Sequence, residues 1–148
     1  FLSMSYELVS PRILLCPQDK ARFKDFAQDF STTNSLGYAH PAKRDLATSY
    51  FVNLSADEVN PQSLLVGDRN IGPNARAPAY SSAVQGAIQI GINSAWSMHP
   101  SNLLHTNVGH YALSDGGVQQ VDTKKLQNQL KQAADAYGTN ANWFLFPQ

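Results

Sequence analysis

The chain has 148 residues and a formal net charge of zero, with eleven basic residues against eleven acidic ones and only 15% charged residues overall. That length fits one domain, which at this size buries roughly 70% of the surface its unfolded chain exposes and needs neither metal nor disulfide to fold. The lack of a basic run excludes a charge-driven nucleic-acid binder or a polybasic lipid-binding segment, and the single cysteine, Cys16, excludes an internal disulfide.

In chain order, residues 1–10 place Leu2, Tyr6 and Val9 at helical spacing and read as the end of a helix stopped by Pro11. Residues 12–16 form a short apolar run, either strand or extended linker. Asp19 is placed to cap a helix over 20–30, whose buried face would be Phe23, Phe26, Ala27 and Phe30. Residues 31–46 are rich in Ser, Thr and Asn and read as loop. Strands are expected over 48–54, 63–68 and 86–92, the last with Ile88, Ile90 and Ile92 on one side, and a long loop over 69–83. Asp115-Gly116 between two strand-like runs, 110–114 and 117–121, is a strong hairpin signal, read as a two-residue type I′ turn. A helix over 123–137 follows, capped by Asp122, striped by Leu126, Leu130, Ala133, Ala134 and Tyr137, and stopped by Gly138. The apolar tail from Trp143 to Pro147 is expected to pack back on the domain. The fold class is α+β. No run of about 18 apolar residues is present, so nothing in this sequence spans a membrane as a helix.

Nine residues separate His105 from Asp115-Gly116. This spacing resembles the H-X9-DG signature at the C-terminal end of bacterial type II secretion pseudopilin-like and type IV pilin-like proteins, a set abundant in Planctomycetes and Verrucomicrobia. Leu15-Cys16-Pro17-Gln18-Asp19 resembles the family's Cys-Pro segment after its long N-terminal helix. Ser49-Tyr50-Phe51 followed by Gly67-Asp68-Arg69-Asn70 resembles its SYF and GDRN core. The resemblance implies an antiparallel sheet laid on the end of an N-terminal helix, with residues 1–10 as that end. It implies a leader removed by a prepilin peptidase, and a helix that anchors the subunit in the inner membrane and then packs in a filament core. The head would be periplasmic or displayed on an extracellular filament. Partners would be further copies, other pseudopilins and the secretion or pilus machinery, with no nucleic acid and with membrane contact only through the N-terminal helix. His110 departs from the pattern, which has a small or amide residue after the glycine that here is Gly109.

His99, His105, His110 and Asp115 lack the short ligand spacing of a zinc site and read as hydrogen-bonding groups. His105, Asp115 and Gly116 then form a structural latch, in which His105 ties its loop to the hairpin turn. Asp68 and Arg69 read as an ion pair or a turn clamp holding the long loop, with Asp115 or Asp57 as candidate partners. Calcium can order C-terminal loops in major pseudopilins. Applied to this chain, that resemblance points to Asp57, Asp68 and Asp115 as carboxylate ligands, with Glu58 also available, though none forms an EF-hand loop. No other cofactor is implied.

Cys16 carries no nucleophile signature, and no phosphate loop, G-x-S-x-G or H-E-x-x-H occurs, so an enzyme is not expected. Trp96 and Trp143 read as core by default. The leading reading is a structural filament subunit. The alternative is a minor tip pilin or adhesin-like module that binds a glycan or exported protein through 69–83 and 93–104. A hydrolase using Cys16 or a histidine-held metal ranks last.

Overall fold

The computed structural model describes residues 1–82, 86–100, 104–137 and 142–147. They form two compact units, Phe1–Ser49 with Pro147, and Tyr50–Phe146. Helix and antiparallel sheet are both present, which makes the chain α+β.

In the first unit the chain follows turns rather than helices. Leu2–Met4 is a 3₁₀ turn and α1 (Ser5–Leu8) a single α turn, closed by Val9 at φ +60°. Pro11 opens a second 3₁₀ turn, Pro11–Leu14, with the Ser10 hydroxyl accepting from the Arg12 N–H. The segment expected as strand or linker is therefore largely a helical turn, and it buries Leu14, Leu15 and Cys16. The helix expected over 20–30 is absent; only the 3₁₀ turn Phe23–Asp25 forms, and Phe26 is extended at φ −53°, ψ 139°. Long-range bonds override the local pattern. The Asp19 carboxylate accepts from the Ser49 hydroxyl at 2.8 Å instead of capping a helix. The Arg22 guanidinium donates to the carbonyls of Asp45, Thr48 and Pro147. Of the supposed apolar face, Ala27 is buried but Phe23 and Phe26 are exposed.

The second unit holds a six-stranded antiparallel sheet of β1 (Tyr50–Asn53), β2 (Leu64–Asp68), β4 (Ala87–Gln89), β6 (Val108–Leu113), β7 (Val118–Asp122) and β8 (Trp143–Leu145), in the order β4-β8-β1-β2-β6-β7. A small two-stranded sheet pairs β3 (Ile71–Gly72) with β5 (Ala95–Trp96), so the expected 69–83 loop contains a short strand. Helix α2 (Thr123–Tyr137) has the expected bounds and cap, the Asp122 carboxylate accepting from the Lys125 N–H at 2.8 Å. It packs on β2, β5 and β7 and buries Leu126, Leu130 and Ala133. The Tyr137 side chain and the stop expected at Gly138 lie outside the described residues.

The core gathers Phe51, Leu64, Trp96, Tyr111, Val121, Leu126, Leu130, Phe144 and Phe146. Phe51 and Phe144 stack with centroids 4.5 Å apart, so the tail does pack back as expected. In β1 it is Phe51 and Asn53 that are buried, while Tyr50 and Val52 are half-buried. Ile90 is buried, Ile88 half-buried and Ile92 exposed, so the expected isoleucine stripe is only partly core. Trp96 is fully buried, whereas Trp143 stands 40% exposed on the outer face of β8. Burial raises the pKa of the Tyr111 phenol above its ordinary value.

Two glycines let this core close. A Cβ at Gly67 would stand 2.8 Å from the Phe51 ring, its cross-strand neighbour, and one at Gly109 would stand 2.5 Å from the Trp96 indole. Gly109→Ala is therefore expected to cost about 1–3 kcal/mol through overpacking. Gly91→Ala, which meets nothing within 4 Å, should stay within about 0.5 kcal/mol of the parent. Urea unfolding midpoints compare the two.

Candidate functional site

The hairpin at Asp115-Gly116 exists, but its turn differs from the one expected. Leu113 and Gly117 face each other across the ladder, leaving a three-residue loop. The Leu113 carbonyl accepts from the Gly116 N–H at 3.0 Å, which puts Ser114 and Asp115 at the centre of a β-turn. Only Gly116 has positive φ, +87°. A type I′ turn needs two such residues; one glycine after a turn gives the bulged three-residue hairpin. The Asp115 carboxylate accepts from the Gly117 N–H at 2.7 Å, as a turn-forming aspartate should.

His105 does not latch onto this turn. It precedes β6, and Asp115 follows it. A strand of that length separates its ends by about 17 Å at 3.4 Å per residue. His105 instead faces Asp68, its Nε2 lying 3.5 Å from Asp68 Oδ2. The Asp68 carboxylate is almost fully buried at the end of β2. The register Gly67↔Tyr111, continued by one residue, sets Asp68 against His110. There Oδ2 accepts from the His110 backbone N–H at 2.7 Å and lies 3.0 Å from His110 Nδ1. The two imidazoles meet edge to face with centroids 4.8 Å apart. Their side chains are 17% and 41% exposed, so the cluster opens to solvent on the histidine side.

The residues after Asp68 hold the surroundings. The Arg69 guanidinium donates to the Ser81 hydroxyl at 3.0 Å and so clamps the long 69–83 loop, one of the two roles expected for it from the sequence. The Asn70 amide is fully buried and donates to the carbonyls of His105 and Val108 at 3.3 and 3.5 Å. The Asn70 carbonyl accepts from the Ser97 N–H at 2.6 Å. Asn107, at φ +59°, turns the chain into β6. Asp68 and Asn70 thus fix the loop bearing His105, and Arg69 fixes the loop after β3.

Among the described residues, the group of three or more potential metal-binding side chains that comes together is Asp68, His105 and His110, with ligand atoms all within 4.8 Å of one another. Asp57 and Asp115 are not in it: Asp57 accepts from the Val59 N–H in an exposed turn, and Asp115 sits in the hairpin. The carboxylate set expected for calcium is therefore not assembled. The sequence reading missed the pairing of Asp68 with His110. The available signal was the odd placement of His110 within a strand that faces Gly-Asp. Cys16 is buried in the first unit, and the three residues of the cluster belong to the second.

No family model, curated protein or solved structure matches the chain.

Asp68→Ala removes the acceptor of a buried N–H and the partner of two imidazoles, and is expected to cost about 2–3 kcal/mol. Asp115→Ala removes one exposed turn bond and should cost about 0.5–1 kcal/mol. Chemical denaturation of both variants checks the order.

Proposed function

We propose that the chain is the head of a filament subunit of the type II secretion pseudopilus or type IV pilus class, carried in the cell envelope by an N-terminal helix. The observation behind this reading is the ordered series of motif segments, Cys16-Pro17, Ser49-Tyr50-Phe51, Gly67 to Asn70, and His105 with Asp115-Gly116. Three features are in keeping with it. The SYF, GDRN and H-X9-DG segments fall on or beside neighbouring antiparallel strands, β1, β2 and β6. Their polar residues are mostly engaged in holding loops, as architecture requires. Leu2, Met4, Tyr6, Val9 and Ile13, near the start of the chain, carry exposed apolar side chains, which is the character expected where an apolar helix continues into a head. Among the described residues no helix is long and apolar enough to cross a membrane, so in this reading the anchor is supplied by sequence preceding Phe1.

The test is the product of the whole gene. It is expected to carry a short leader and about 20 apolar residues joined to Phe1. It should lose the leader's mass when co-expressed with a prepilin peptidase. A coding sequence with no apolar segment ahead of Phe1 overturns the proposal.

A further inference from the structure

We propose that Asp68, His105 and His110 form a binding site for a divalent transition-metal ion of the zinc class, with at least one coordination position open to solvent. The inference rests on the geometry of the cluster and is independent of the filament reading. Metal bonds of about 2.0–2.2 Å to nitrogen and oxygen hold neighbouring ligand atoms about 3–3.5 Å apart. Asp68 Oδ2 lies 3.0 Å from His110 Nδ1 and 3.5 Å from His105 Nε2. The three ligand atoms lie within 4.8 Å of one another, so an ion is held once side-chain rotation draws the two imidazole nitrogens together around it.

The donor set selects the metal. Two imidazoles and one carboxylate suit zinc, nickel, cobalt or iron, whereas calcium and magnesium require a shell of oxygens. Two histidines with one carboxylate also leave positions for water or an added ligand, as in open zinc sites. Here the His110 side chain, 41% exposed, gives the cluster its access to solvent.

Each ligand is also held in place by a separate device. Asp68 is oriented by the His110 backbone N–H at 2.7 Å. The His105 loop is tied by Asn70. His110 is fixed by its place inside β6. Such preorganisation lowers the ordering cost of binding. Charge supports the site as well: a carboxylate nearly removed from water is costly unless compensated, and a bound dication would compensate it. Binding through His110 Nδ1 places the ring proton of that imidazole on Nε2.

The experiment is calorimetric titration of the 148-residue chain with zinc, and separately with calcium, together with the visible absorption of a cobalt form. One zinc per chain is expected, with no calcium uptake, and the cobalt spectrum should be that of a nitrogen–oxygen ligand set. His110→Ala keeps the backbone N–H that holds Asp68, so the fold should survive. It should weaken zinc binding at least about tenfold, the lower end of the loss seen when a group merely supporting a metal ligand is removed. His105→Ala should do the same, while His40→Ala and His99→Ala should leave binding unchanged. Absence of zinc binding, unchanged affinity in the folded His110→Ala and His105→Ala variants, or loss of binding on changing His40 or His99 would each overturn the site. In any of those outcomes the three side chains form a hydrogen-bonded clip and nothing more.

Discussion

A carboxylate taken out of water must be satisfied by the protein, and the environment of Asp68 is organised around that requirement. It ends β2, accepts from the backbone of β6 and faces two imidazoles. Removing a charge from water without partners costs several kcal/mol. The strand pairing of β2 with β6, the loop into β6 and the rotamer of His110 are therefore tied to the same oxygen. Arg69 and Asn70 extend the arrangement outward, one to the loop after β3 and the other to the carbonyls of the His105 loop. Consecutive residues alternate in direction along an extended chain, which is how Asp68 and Asn70 both reach the His105 loop while Arg69 between them turns to the loop after β3.

The opposite face of the same strands is governed by packing. Phe51 lies over Gly67, Trp96 lies against Gly109, and Phe144 stacks on Phe51. A side chain at either glycine would hold the aromatic ring away from the sheet. The motif glycine and the motif aspartate are thus neighbours with separate tasks. Gly67 admits the core on one face, and Asp68 builds the polar cluster on the other. A structural subunit and a metal-binding one make the same demand here, since both need the His105 loop fixed against β2 and β6.

Much of the local structure was legible in the sequence. The α2 helix was readable from its apolar spacing and the Asp122 cap, because both signals lie within the helical segment itself and the residue before it. The hairpin was readable from Asp115-Gly116, although the loop is one residue longer than the dipeptide suggested, since Asp115 does not take positive φ. The 20–30 segment misled for a physical reason. Its phenylalanines have helical spacing, but Asp19 and Arg22 find distant partners that a continuous helix would not allow them to keep.

The sequence by itself determined the α+β class, most of the strands, the hairpin, the C-terminal helix and the motif series behind the filament reading. All of these are written in short-range spacing and turn chemistry. Only the tertiary structure decided what the motif residues do. Asp68 and His110 are 42 positions apart, and no local pattern records the register that sets β2 beside β6. The histidine expected to latch the Asp115 turn is carried to the far end of β6 by the length of that strand, and there it meets the buried carboxylate instead.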